Sequence, residues 1–184
     1  MKFSETKIPG VFLLELEKRT DDRGYFARAW CAREFQEQGL NPRLVQINTA
    51  LSHKAGTLRG IHYQEPPFAE AKLVRCLRGA IFDVAVDLRP ESPTFTEWVA
   101  CELSADNGRM LYVPEGCGHG YQTLVDETEM LYQTSEFYAP QAARGALWND
   151  AQIGVRWPLA VSEMSEADRN WPPLSAASRR RAAP

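Results

Sequence analysis

Apolar and polar residues alternate along this chain in short runs, and Gly, Pro and Asp stop each run soon after it starts. Lys72-Leu-Val-Arg-Cys-Leu-Arg78 alternates up to Gly79, and Ala80-Ile-Phe-Asp-Val-Ala-Val-Asp-Leu88 begins at once. Residues 97–103, 110–113, 120–125 and 129–134 follow the same pattern. Residues 11–16, 24–30, 45–49 and 57–63 precede it. A period of two marks strands, and many short strands separated by turn residues build a sandwich or a barrel. The Arg78-Gly79 junction reads as a hairpin turn. Helical spacing is confined to 31–39, which Gly39 can end, and to 165–169, where Ser165 and Asp168 make a capping-box-like start. The expected fold class is all-β with a few short helices.

Composition narrows the function classes. With 184 residues, 44% hydrophobic and 24% charged, the chain suits one domain with a core large enough to need no disulfides. That domain is expected over residues 1–174. Residues 175–184 (SAASRRRAAP) read as a basic, frayed tail. A net charge of −3 argues against a nucleic-acid partner. No apolar run approaches the roughly 20 residues of a membrane span. The N-terminal stretch meets charge too early for a signal peptide. Cys31, Cys76, Cys101 and Cys117 form no CxxC pair and fit reduced thiols in a cytoplasmic protein.

The chain has 3 histidines, and two stand in suggestive places. Strand alternation puts Leu58, Gly60, His62 and Gln64 on one face, and Arg59, Ile61 and Tyr63 on the other. His62 is then either a core imidazole satisfied by a backbone carbonyl or a working group in a barrel that holds a ligand. His119 ends a Pro-x-Gly-x-x-His pattern that starts at Pro114. His53, beside Ser52 and Lys54, reads as solvated. Lys72 is either an edge lysine whose head reaches water or an ammonium aimed inward at developing negative charge. Tyr132 is a strand aromatic or a proton donor. Asp83 and Asp87 share a face of an apolar strand, where a carboxylate without partners is costly. Arg23, Arg59 and Arg75 are candidates for a diphosphate clamp.

The Pro-x-Gly-x-x-His pattern resembles the second motif of cupin barrels. The earlier His-x-His pair of metal-holding cupins is replaced here by His62-Tyr63-Gln64, so no metal is expected. More closely, the chain resembles the dTDP-4-dehydrorhamnose 3,5-epimerase family, a branch of the cupins, from about Thr6 to Leu174. The resemblance rests on ordered segments that include Lys7-Ile-Pro-Gly10, Asp22-Arg-Gly-Tyr-Phe26, Gly56-Thr-Leu-Arg-Gly-Ile-His-Tyr-Gln64 and Lys72-Leu-Val-Arg75. Further along come Arg78 to Arg89, Ser92-Pro-Thr-Phe95, Tyr112-Val-Pro-Glu-Gly116, Gly118-His-Gly120, Tyr138-Ala-Pro140 and Ser165-Glu-Ala-Asp168. It implies a double-stranded β-helix, or jelly roll, and a homodimer built through N-terminal strands. It also implies a nucleoside-diphospho-4-keto-6-deoxy sugar as substrate, with no cofactor. By the same resemblance His62 is the base and Asp168 its carboxylate partner. Lys72 faces the keto oxygen and Tyr132 returns a proton on the opposite face. Arg23, Phe26, Gln46, Asn48, Arg59, His119 and Tyr138 bind the substrate.

The chemistry is consistent with those roles. Removing a proton next to a ketone creates an enolate, and a cation beside the oxygen favours that state. Imidazole, with an ordinary pKa near 6.5, suits a base at neutral pH. A carboxylate on its other nitrogen fixes the tautomer. Departures from the family fall at Arg28, Ile47, Ala143 and Ala167, which the resemblance assigns mostly to binding. They leave open a different nucleotide or inversion at a single carbon; a sugar-binding cupin without catalysis is a competing reading, against which the intact His62, Lys72, Tyr132 and Asp168 argue.

Overall fold

The structure is a computed structural model that describes residues 1–174. The arginine-containing tail expected at 175–184 lies outside the described residues. The early elements are β1 (Lys2–Glu5), β2 (Phe12–Glu15), β3 (Arg19–Asp21), β4 (Gly24–Phe26) and α1 (Ala32–Glu37). The body consists of β5 (Gln46–Ser52), β6 (Leu58–Gln64), β7 (Lys72–Arg78), β8 (Ala80–Asp87), β9 (Trp98–Ser104), β10 (Met110–Val113), β11 (Cys117–Thr123) and β12 (Thr128–Thr134). β13 (Ala143–Gly145) and α2 (Glu166–Arg169) complete the described chain.

Two antiparallel sheets face each other. One is six-stranded in the order β1-β2-β10-β7-β12-β5, and the other is five-stranded in the order β13-β6-β11-β8-β9. From β5 to β12 the chain changes sheet at every connection except β8 to β9. This winding is the double-stranded β-helix of cupins, the fold that the family resemblance implies and that agrees with the all-β class read from the strand pattern.

The Arg78-Gly79 hairpin is corrected. β7 and β8 lie in different sheets, so Gly79 turns a corner between layers. Its φ of +77° favours glycine, and a Cβ there would meet Thr128 Oγ1 at 2.5 Å. A glycine marks a sharp reversal but does not say which strand pairs with which.

Three apolar clusters explain the strand patterns. Between the sheets pack Val74, Cys76, Ile81, Leu103, Leu111 and Met130. Outside the six-stranded sheet, Phe35 of α1 packs edge-on against Phe3 and Tyr112. Outside the five-stranded sheet, Ile61, Val84 and Val86 are covered by Ala146, Ile153 and Leu174. β8 is thus buried on both faces and reads as a nearly continuous apolar run.

Asp83 and Asp87 meet the cost of burial differently. Asp87 has no exposed surface, which by itself raises its pKa. Arg89, Ser92 and Thr94 surround it with donors and hold it at about 2. Asp83 turns to a histidine.

One irregularity in β6 shapes the interior. His62 pairs with His119 and Arg59 with Tyr121, so Gly60 and Ile61 together face Gly120 alone. This is a β-bulge. Gly60 has a φ of +130°, and a Cβ there would stand 2.4 Å from Gly120 Cα. The extra residue overturns the simple alternation. Arg59 and His62 both line the interior, while Ile61 turns outward to the second sheet's outer core.

Candidate active site

Residues of both sheets line a cavity of about 1020 Å³. β5 of the six-stranded sheet supplies Gln46 and Asn48, β7 supplies Lys72 and β12 supplies Tyr132. The five-stranded sheet supplies Arg59 and His62 from β6 and His119 from β11. Tyr138 stands at the rim. Asp168 and Trp171 close the side from the C-terminal segment.

His62 Nε2 lies 2.5 Å from Asp168 Oδ1. Asp168 is buried because α2 tucks it beneath the sheet, and Ser165 caps that helix by accepting the Asp168 backbone N–H at 3.1 Å. Burial alone would raise the Asp168 carboxyl. Hydrogen bonding and charge from His62, with help from Ser165 and Trp171, outweigh burial and hold it below the usual carboxylate range. An anion is thus fixed on one nitrogen of the imidazole, leaving the other for proton transfer.

Lys72 opens β7 with its side chain almost wholly buried. Its Nζ donates to the His62 carbonyl at 3.3 Å and pairs with Glu70 Oε1 at 3.1 Å. Tyr132 stands beside Asn48 and Val74 in the ladder. Burial, reinforced by the charge of Glu70, raises its pKa, so the phenol keeps its proton at neutral pH and can donate it. His119 Nε2 meets Asp83 Oδ1 at 2.8 Å. Burial pushes the Asp83 carboxyl up, against the pull of His119 and Lys72. Gln46 Nε2 donates to Asn48 Oδ1 at 3.0 Å, which ties those two side chains into one polar strip. Arg59 donates to the Leu51 carbonyl at 3.3 Å.

Two of the expected binding residues, Arg23 and Phe26, lie away from the cavity. Arg23 forks onto Asp21, with Nη2 to Oδ2 at 2.6 Å, and Phe26 is 71% exposed. Both sit on the β3–β4 hairpin and neither lines the cavity. Arg75 also stays out, because alternation along β7 turns it away from the side that carries Lys72. Arg28 pairs with Glu34 and His53 with Glu127.

The cavity residues that sequence reasoning missed include Glu70, Trp171 and Arg144. Glu70 had a usable signal, since it lies two positions before Lys72 in extended chain and so shares its side. Trp171 and Arg144 had none, because each depends on how loops after β12 fold back. Among the described residues no group of three or more His, Cys, Asp or Glu is placed to hold a metal ion.

A family model described as dTDP-4-dehydrorhamnose 3,5-epimerase matches residues 5–176. The chain belongs to this family. It is therefore an isomerase of the epimerase type. A dTDP-4-dehydrorhamnose 3,5-epimerase of Methanothermobacter thermautotrophicus is 45% identical over 177 residues, covering 94% of this chain and 94% of the relative. The Bacillus anthracis dTDP-4-dehydrorhamnose 3,5-epimerase, solved with TDP and PPi bound, superimposes with a TM-score of 0.89. It is 41% identical, and the match covers 94% of this chain and 98% of that one. ChmJ of Streptomyces bikiniensis, a 3'-monoepimerase solved with dTDP-quinovose, matches with a TM-score of 0.88 and 33% identity. That match covers 97% of this chain and 91% of ChmJ. The epimerase fold thus spans essentially the whole described chain.

Proposed function

We propose that the protein inverts C3 and C5 of a dTDP-linked 4-keto-6-deoxy sugar, the reaction named for its relatives in the rhamnose pathway. One observation carries this reading. A carboxylate-backed imidazole and a protonated phenol enter one cavity from two different sheets, with a buried ammonium in the same cavity.

In the proposed mechanism neutral His62 takes the proton from a carbon next to the C4 ketone. The C–H electron pair becomes the C=C bond of an enolate, and the carbonyl electrons move to oxygen. Lys72 stabilises that oxyanion, in the manner of a donor placed before charge develops. Tyr132 gives its proton to the other face of the carbon, and the carbonyl reforms. Imidazolium and phenolate then return to their starting states by exchange with solvent. C3 and C5 both flank C4, so the same three groups serve both centres. Asp168 stabilises the imidazolium without taking the proton. Arg59, His119, Gln46, Asn48 and Tyr138 bind the nucleotide sugar around the reacting ring.

The homodimer belongs to the same reading. Tyr25 and Phe26 are 55% and 71% exposed on a hairpin that leaves its own cavity untouched. We place Arg23 and Phe26 at the cavity of a partner subunit, where an aromatic face and a guanidinium suit a base and a diphosphate. The four cysteines are free thiols, which fits a reducing, cytoplasmic setting.

Likeness to ChmJ supports a second reading, inversion at C3 alone. Incubation with dTDP-4-keto-6-deoxyglucose in deuterated water separates the two. Exchange at C3 and C5 supports the double epimerase, and exchange at C3 alone supports the monoepimerase. No exchange with this or with CDP-, GDP- or UDP-linked analogues would remove the catalytic reading.

A further inference from the structure

Trp171 touches both members of the His62–Asp168 pair. Its Nε1 donates to Asp168 Oδ1 at 3.3 Å, and this is the oxygen that His62 meets. Its ring stands edge-on to the His62 imidazole, with centroids 6.3 Å apart and planes at 67°. The indole lies against Gly145, where a Cβ would fall 2.2 Å from the ring carbon Cε2 and 2.4 Å from Nε1. Gly145 is the β13 residue directly opposite His62 on β6. The strand next to the imidazole therefore leaves out one side chain, and the indole takes that space.

We propose that Trp171 is a positioning residue for the dyad, seated on Gly145, and that its N–H divides the charge of Asp168 between two donors. The inference rests on the reading of His62 as the base. A carboxylate that accepts a second hydrogen bond has less charge to spend on the imidazolium. Trp171 thereby holds Oδ1 in line with His62. The titratable groups that share the cavity with His62 include His119 of β11, itself on Asp83; Lys72, on the His62 carbonyl and Glu70; Tyr132 of β12; Arg59 of β6; and Arg144 of β13, paired with Glu65. Replacing the indole with a benzene ring alters none of these pairs.

Trp171→Phe keeps an aromatic ring on Gly145 and removes the donor. Gly145→Ala keeps the donor and pushes the ring off its seat. For both variants the acid limb of kcat/KM is expected to move to higher pH by about half a unit. For Trp171→Phe, kcat is expected to fall about fivefold, the scale of one lost hydrogen bond, with KM little changed. A purely structural role would scale the profile without moving its limb. A second readout needs no turnover. The midpoint of the His62 imidazole signal, followed by NMR across pH, is expected to rise in Trp171→Phe. An unmoved limb together with an unmoved midpoint overturns the inference. Failure of wild-type exchange would instead strike the reading of His62 as the base and leave the midpoint test standing.

Discussion

His62 on β6 and Tyr132 on β12 belong to different sheets, yet both reach the same cavity. An inversion asks for this arrangement, because the proton that leaves and the proton that arrives must use opposite faces of one carbon. His62→Asn keeps the shape and polarity of the side chain and removes its basicity. Loss of proton exchange at both C3 and C5 is expected, with kcat down by about a thousandfold. Proton NMR of the sugar in deuterated water checks it, and normal exchange in the variant would take the base role away from His62.

Tyr132→Phe separates the two half-reactions. Abstraction by His62 needs no phenol, so exchange with solvent is expected to persist while formation of the inverted sugar falls by about a hundredfold or more. The check is to follow deuterium uptake and product configuration in one sample. Equal loss of both would confine Tyr132 to binding.

Asp87 makes a pH-dependent contribution to stability. Despite burial, its donors hold it at about 2 against an ordinary 3.8. A lowered carboxylate contributes fully above the unfolded value, and that contribution is lost as pH falls through the folded one. The difference is worth about 2 kcal/mol. Asp87→Asn is expected to destabilise the protein by about that amount at neutral pH. Urea melts should show the gap between wild type and variant closing from about pH 4 down to about pH 2. A gap that does not change with pH would show that packing, not charge, carries the effect.

Gly60→Ala is expected to cost more than about 2 kcal/mol. The new Cβ would stand 2.4 Å from Gly120 Cα, a backbone atom that cannot swing aside, at a φ of +130°. Thermal melting checks this, and a wild-type midpoint would mean that the bulge can relax.

The residues that were legible in the sequence share a source. His62, Lys72 and Tyr132 were named by the family resemblance, while strand alternation alone left the direction of each side chain open. Pairing could not be read from alternation either. Arg59 was placed away from His62 because the bulge at Gly60 exists only against Gly120 on β11. Gly79 looked like a hairpin because local sequence does not record that β7 and β8 join different sheets. The partner of Asp83 is His119, 36 positions on, and no spacing rule links them. Short or polar strands such as β1, β3 and β13 were also invisible, since a few residues held by ladder bonds to a neighbour carry too little apolar pattern of their own. β11 begins earlier than expected, at Cys117, because the small residues at its start are tightly covered rather than apolar. The arginines of the hairpin and of β7 show the converse. Their chemistry was plain, but their direction depended on which face each strand turned inward.

His62 waits 106 positions for its carboxylate. Every strand of the shell leaves the ribosome before α2 does, so a nascent chain gains its walls first and its reactivity last. A premature stop codon ahead of α2 is accordingly expected to remove Asp168, Trp171 and Leu174 together, which opens one side of the cavity, uncovers part of the outer core and leaves His62 without its carboxylate.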